Sequence, residues 1–112
     1  MSDRKFGPIT KELIAAKKRI ENPENWCQGE PHVGHRVCAM RALADVGLSS
    51  FGQALDCLDD SAVTLFPESD ITAQRPGDLS LRPGAWVNDS LGHAAVMQMY
   101  DHAIARAIKE GK

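Results

Sequence analysis

The residues best suited to chemistry are crowded into one stretch, NWCQGEPHVGHRVCAMRAL at positions 25–43. Within it, Cys27, His32, His35 and Cys38 form a Cys-x4-His-x2-His-x2-Cys pattern of the ligand types that bind zinc tetrahedrally. The spacing argues against a structural zinc site, because all four residues lie within twelve positions and a metal would hold only one loop. The opposing interpretation is a loop cysteine, a core Cys38 and two surface histidines. Zinc therefore stays an alternative, and no cofactor is predicted.

A second arrangement would make Cys27 a nucleophile. His93 would act as its base and Asn88 or Asp89 would orient the imidazole, which gives the chain order Cys, Asn/Asp, His. A catalytic thiol needs a base or a lowered pKa, and no helix clearly starts at Cys27 to lower that pKa. In the opposing interpretation, Asp89 caps the last helix and His93 is a surface residue of its first turn. A small hydrolase or transferase stays an alternative, with the balance against an enzyme.

The two tryptophans indicate a third kind of site, a binding cleft. Each opens a short polar motif, WCQG and WVND. A loop tryptophan beside an amide suits a pocket with an apolar wall and a few directed hydrogen bonds. The predicted binding residues are Trp26, Gln28, Trp86 and Asn88. The opposing interpretation is that both tryptophans complete the core and both amides satisfy loop backbone.

Amphipathic helices must position these residues. The clearest periodicity lies in residues 51–65, whose apolar side chains recur at steps of four and three. Similar stripes predict helices over 8–21, 36–46 and 91–109. The predicted fold is an all-α compact bundle of about four helices with two long loops and little or no strand. The main stripes are Ile9, Leu13, Ala16 and Ile20 in the first helix, Phe51, Leu55, Leu58, Ala62 and Leu65 in the third, and Val96, Met99, Tyr100, Ala103 and Ala107 in the last.

The domain organisation follows from length and turn residues. A chain of 112 residues predicts a single helical domain over 1–112. Residues 1–7 are expected to form a flexible N-terminus. Residues 67–85 contain three prolines and two glycines, which predicts a long loop.

Some contacts can also be expected. We expect the WCQG and WVND loops to pack near one another, with Asp89 capping the last helix. Gln28 and Asn88 should hydrogen-bond loop backbone across that contact. Asp59 and Asp60 lie off the apolar stripe of their helix and are expected to be solvated.

Composition limits the classes of function. The formal net charge of −2 argues against a nucleic-acid binder, because such proteins carry a basic excess. No apolar run reaches the roughly 20 residues of a membrane helix, and the start MSDRKFGPITKEL has no apolar segment of secretory type. We therefore expect a cytoplasmic protein that does not bind membranes. The three cysteines are an odd number, so at least one thiol stays outside any intramolecular disulfide.

The order of the motifs resembles a family of small proteins from bacteria and their phages, classed as a domain of unknown function. Members carry a Trp-(Cys/Thr)-Gln-Gly motif, a Cys-x-x-(Gly)-Ala-Leu helix start and a Trp-Asn-Asp motif before the last helix. This chain has NWCQG, VCAMRAL, WVND and a closing YDHAIARAI in that order, over most of residues 10–108. The resemblance implies that Trp26, Gln28, Gly29, Cys38, Trp86, Asn88 and Asp89 belong to the common pattern.

Two departures from that pattern matter. Val87 separates Trp86 from Asn88, and Ala94 stands where a capping threonine is expected. The family also accepts threonine at the position of Cys27, which weakens the zinc and nucleophile hypotheses. The resemblance implies no activity.

We therefore expect a small cytoplasmic binding or interaction module. The resemblance alone implies that this module is an accessory protein of a phage or mobile element. Its ligand would be another protein or a small molecule that the sequence does not identify. A homodimer formed through an apolar helix face is a further alternative, because a chain of this length has a thin core.

Overall fold

The computed structural model describes residues 6–29, 32–46, 51–69 and 82–112, and most of these are helical. Five α-helices lie in the described ranges, so the predicted all-α class is confirmed and the predicted count of four is one too low. The helices are α1 Pro8–Ile20, α2 Ala39–Val46, α3 Phe51–Leu65, α4 Pro83–Ser90 and α5 His93–Glu110.

The apolar stripes of the helices form one hydrophobic core. All members of the predicted α1 and α5 stripes are buried. In α3, the three central members of the stripe are buried, and Phe51 and Leu65 at its ends are half-buried. Burial of apolar area stabilises by roughly 25 cal/mol per Å², so these stripes hold the long helices together. Tyr100 is the largest of the fully buried side chains described.

A small antiparallel hairpin lies between α1 and α2. Its strands, β1 His32–Val33 and β2 Arg36–Val37, are joined by a two-residue turn. Of its described residues, only Val37 is buried. The predicted start of the second helix near Arg36 is wrong, because the chain there pairs with β1 and α2 begins at Ala39.

The WVND segment is helical, and the prediction that it is a loop is wrong. It forms part of α4, whose first residue is Pro83. Proline suits that position, because its fixed φ is close to the helical value and an N–H there would have no partner within the helix. The end of the predicted loop 67–85 is therefore a helix start, with Arg82 as the N-cap and Pro83 as the first helical residue.

The last predicted helix, 91–109, corresponds to α5, which begins at His93. Leu91 and Gly92 separate it from α4. Gly92 is the N-cap, with a φ of 99° in the region that favours glycine, and no described side chain caps the helix. The prediction that Asp89 caps the last helix is wrong, because Asp89 lies inside α4.

The first turn of α4 is anchored to α3 by Asp59. One carboxylate oxygen accepts the Gly84 N–H at 2.9 Å, and the other accepts Arg82 Nε at 2.6 Å. At Gly84, α4 also lies close to Met40 of α2, since a Cβ at Gly84 would be 2.6 Å from Met40 Cε and would force that side chain to move. Burial raises the pKa of Asp59, while the two hydrogen bonds lower it. The expectation of two solvated carboxylates is therefore wrong for Asp59, and Asp60 is exposed as expected.

Two predictions lie largely outside the described residues. The predicted flexible segment 1–7 is described only at positions 6 and 7, which lead directly into α1. The predicted loop 67–85 is described only at its ends, as a 3₁₀ turn at Pro67–Ser69 and as the start of α4.

Replacing Asp59 by alanine should lower the free energy of unfolding by about 2–3 kcal/mol, because the buried Gly84 N–H loses its acceptor and Arg82 loses one carboxylate. Urea unfolding followed by circular dichroism measures the difference. Asp60→Ala is the matched control, and removing this exposed neighbour should change the same quantity by less than about 0.5 kcal/mol. Equal effects of the two substitutions would contradict the anchoring role.

Candidate functional site

The two tryptophan motifs meet, although the residues that join them are 62 positions apart. The indole Nε1–H of Trp26 donates a hydrogen bond to Asn88 Oδ1 at 2.6 Å. Trp26 follows a 3₁₀ turn, Pro23–Asn25, whose start is capped by the side chain of Asn22. Asn88 lies in the last turn of α4. We call this contact between the segment after α1 and the end of α4 the junction.

The Asn88 side chain is buried, and all of its hydrogen-bonding capacity is used. Oδ1 accepts from Trp26 Nε1 and from the Ala39 N–H at 2.9 Å. Nδ2 donates to the Cys27 carbonyl at 3.2 Å and to Asp89 Oδ1 at 2.9 Å. A side-chain amide has two N–H donors and two lone pairs on its oxygen, so no group of Asn88 is left for a ligand.

Asn88 completes an interrupted β-ladder. Trp26 and Val37 form an isolated parallel bridge, and the Cys27 N–H donates to the Val37 carbonyl at 3.2 Å. The next rung of a parallel ladder would join the Ala39 N–H to the Cys27 carbonyl. These two backbone groups bind the two ends of the Asn88 amide instead. The side chain therefore takes the place of a peptide group where the chain turns into α2.

Gln28 and Asp89 add contacts at the exposed edge of the junction. The Gly29 N–H donates to Asp89 Oδ1 at 2.8 Å, and Gln28 Nε2 donates to the Asp89 carbonyl at 3.3 Å. The expectation that Gln28 and Asn88 bond backbone across the two motifs is confirmed. The Gln28 bond is long and exposed to water, so it contributes much less than the buried bonds of Asn88.

The start of α2 is held by a second buried group, the hydroxyl of Tyr100. It donates to the Ala39 carbonyl at 2.7 Å, and burial raises the pKa of Tyr100, which keeps this donor protonated. Cys38 caps the same helix: its sulfur accepts the Arg41 N–H at 3.3 Å, and its carbonyl accepts the Ala42 N–H at 3.0 Å. Burial raises the pKa of the Cys38 thiol, while hydrogen bonds from backbone N–H groups lower it.

His93 opens α5 beside Trp26, with the two ring centroids 5.4 Å apart in an edge-to-face arrangement. Its Nε2 lies 2.7 Å from the carbonyl of Ile20, the last residue of α1. A carbonyl only accepts, so Nε2 carries a proton. Within the residues that the structure describes, no hydrogen bond joins Asp89 to His93; Asp89 Oδ1 instead accepts from the Gly29 N–H and from Asn88 Nδ2. The orienting pair required by the nucleophile hypothesis is not formed.

The four residues of the zinc pattern lie on the hairpin and its two flanks. Cys27 is buried, Cys38 is half-buried, and His32 and His35 are exposed. In the described ranges, no group of three or more His, Cys, Asp or Glu side chains is arranged to hold a metal ion. The structure therefore does not bring the four candidate ligands together.

Of the four predicted binding residues, the structure joins Trp26 to Asn88 and places Gln28 against the backbone of Asp89. Trp86 lies half-buried on α4 and packs against the hydrophobic core. A surface cavity of about 350 Å³ lies elsewhere, and none of these four residues lines it. Its walls are formed by Ile9, Gln53, Asp56, Cys57, Asp60 and Lys112.

Sequence reasoning missed three residues that hold the start of α2 against the junction: Val37, Ala39 and Tyr100. The first two supply backbone groups, which no pattern of side chains reveals. The sequence places Tyr100 on the apolar stripe of α5, and a buried tyrosine needs a partner for its hydroxyl. That need signals a polar contact without identifying the acceptor.

No protein-family model, curated protein or solved structure matches the chain. The function is therefore inferred from the junction itself. The junction belongs to a small helical domain. Its residues from the two tryptophan motifs bind one another and hold the base of an exposed hairpin.

Replacing Asn88 by alanine should lower the free energy of unfolding by at least about 3 kcal/mol, because the Trp26 indole, the Ala39 N–H and the Cys27 carbonyl lose their partner. Asn22→Ala, which removes an exposed amide near the same junction, should cost less than about 1 kcal/mol. Chemical unfolding measures both variants. Similar losses for Asn88→Ala and Asn22→Ala would show that the junction does not depend on this amide.

Asn88→Asp should make the stability of the junction depend on pH. It keeps the acceptor but points a carboxylate oxygen at the Cys27 carbonyl and at Asp89, and this repulsion raises the pKa of the introduced carboxyl in the folded state. A raised folded-state pKa means that stability is gained as pH falls through it, so the deficit relative to wild type should shrink between about pH 7 and about pH 4. A deficit that stays constant over this range would contradict the assigned orientation of the amide.

Proposed function

We propose that the protein is a small binding module that presents the hairpin at 32–37 to a protein partner. The observation that carries this proposal is the Asn88 network, which commits the Trp26 indole and the whole Asn88 amide to holding the base of the hairpin. A catalytic site, or a pocket for a polar small molecule, keeps such groups available to its ligand.

The surface of the hairpin supports the same proposal. Val33 is 49% exposed, and the neighbouring His32, His35 and Arg36 are exposed as well. An exposed apolar side chain among cationic and imidazole groups can combine apolar burial with directed hydrogen bonds, as protein interfaces do. A pair of two-residue strands is not stable by itself, so the junction supplies the order that lowers the entropic cost of binding.

We further propose that the module acts in the cytoplasm as an accessory protein of a phage or mobile element. This part of the proposal is supported by the resemblance of the motifs. Among the helices of the described ranges, none combines the length and apolar character needed to cross a bilayer.

The enzyme alternative has less support. Cys27 is 8% exposed, the protonated Nε2 of His93 points at the Ile20 carbonyl, and Asp89 does not orient the imidazole. We therefore expect a thiol reagent at neutral pH to label Cys27 in the native protein at least about tenfold more slowly than in the chain unfolded by urea. Peptide mapping after timed quenching gives the rate for each cysteine. Faster labelling of Cys27 in the native state would restore the nucleophile hypothesis.

The partner surface can be tested by substitutions matched in chemistry. Val33→Ser combined with Arg36→Ser removes one exposed apolar side chain and one cation from the hairpin. Leu91→Ser combined with Lys18→Ser removes the same two types of group from exposed positions on other elements. Each pair should change the free energy of unfolding by less than about 1 kcal/mol, because all four side chains are exposed.

The readout is recovery of partner proteins by affinity purification of the tagged full chain from its host cells. We expect partners to be enriched by the wild type and by the Leu91/Lys18 variant, and lost from the Val33/Arg36 variant. Equal recovery by both variants would contradict the assignment of the hairpin as the contact surface. The absence of any partner enriched by the wild type would contradict the module itself.

A further inference from the structure

The register of the junction brings two cysteines to neighbouring positions. The parallel bridge pairs Trp26 with Val37, and Cys27 and Cys38 each follow a bridged residue directly. Neighbouring strands lie about 4.8 Å apart, so this register leads us to expect a Cα separation of about 5–6 Å for the two cysteines, where the segments diverge around the Asn88 amide. Disulfides join residues whose Cα atoms lie about 4.4–6.8 Å apart.

We propose that Cys27 and Cys38 are a dithiol pair that forms a reversible disulfide with low-molecular-weight disulfides as oxidant. Cys27 and Cys38 directly follow the bridged pair, and residues opposite each other in a strand pair direct their side chains to the same face, so the register favours both sulfurs on one side of the junction. Cys57 lies on α3 and keeps its thiol, which accounts for the odd number of cysteines. This inference does not depend on the proposed function, because it concerns the base of the hairpin and not what the hairpin binds.

The reaction is thiol–disulfide exchange in two steps. The thiolate of one cysteine attacks a sulfur of the small disulfide, forms a mixed disulfide and releases one small thiolate. The second cysteine, as its thiolate, attacks the protein sulfur of that mixed disulfide and releases the second small thiolate. The protein loses two electrons and two protons, and the small disulfide is reduced to two thiols.

The disulfide would change how the hairpin is held. It closes the segment 28–37 at both ends, so the hairpin stays tied to the start of α2 even when the Asn88 network opens. The sulfur of Cys38 accepts the Arg41 N–H in the thiol form, and cross-linking draws this sulfur toward Cys27. Oxidation therefore exchanges part of a helix cap for a covalent tie. Burial raises the pKa of the Cys38 thiol, so the exchange should accelerate with pH as its thiolate fraction rises.

The test uses the full chain, reduced and then incubated with oxidised glutathione at about pH 8, where the thiolate fraction allows exchange. Samples are quenched with an alkylating reagent, digested and read by mass spectrometry. We expect one dominant cross-linked peptide that joins Cys27 to Cys38, with Cys57 alkylated. Cys57→Ser should give the same yield. Cys27→Ser should stop at a glutathione adduct of the half-buried Cys38, and Cys38→Ser should leave the buried Cys27 largely unmodified.

Three results would overturn the proposal. The first is accumulation of glutathione adducts at Cys27 or Cys38 in the wild type without the cross-link. The second is an equal or greater yield of links that contain Cys57. The third is a native chain in which Cys27 and Cys38 are both recovered fully alkylated after the incubation, while the urea-unfolded chain forms the link between them under the same conditions. Because the wild type carries the decisive result, a variant that fails to fold does not weaken the test.

Discussion

The side chain of Asn88 answers a problem that the backbone creates at the start of α2. Where the chain turns from the bridge at Val37 into the helix, the Ala39 N–H and the Cys27 carbonyl can no longer reach each other. An unpaired buried backbone group costs about 1–3 kcal/mol, so both groups need substitutes. One buried amide supplies both and also accepts the Trp26 indole proton. The positions of the hairpin, the 3₁₀ turn after α1 and the end of α4 all depend on it.

The helices of the fold are stabilised in two different ways. The long helices α1, α3 and α5 are held by apolar stripes. In contrast, α4 spans Pro83–Ser90 only, and a helix this short is marginal by itself. Besides its buried Val87, it is fixed by polar anchors at both ends, Asp59 at its first turn and Asn88 at its last. This arrangement explains why a junction made of motif residues can be rigid and yet leave an exposed hairpin beside it.

The sequence predicts the parts of the fold that local periodicity controls. The stripes of α1 and α5 are buried throughout, and α3 has the bounds that its spacing predicts. Periodicity does not predict the hairpin or α4, because the residues at which they start and end are set by hydrogen bonds between residues far apart in the chain. Asp59 and Asp60 show the same limit: the two carboxylates are adjacent in sequence, and only the one that faces Gly84 is buried.

Hydrogen exchange of the Trp26 indole proton tests the central role of Asn88 most directly, since that proton is donated to the buried amide. If the amide holds the junction, the proton should exchange only when the protein unfolds, with a free energy of opening within about 1 kcal/mol of global stability. The measurement is made by nuclear magnetic resonance on the wild-type chain, with core amides of α5 as the reference. Exchange through a local opening several kcal/mol below global stability would contradict the account.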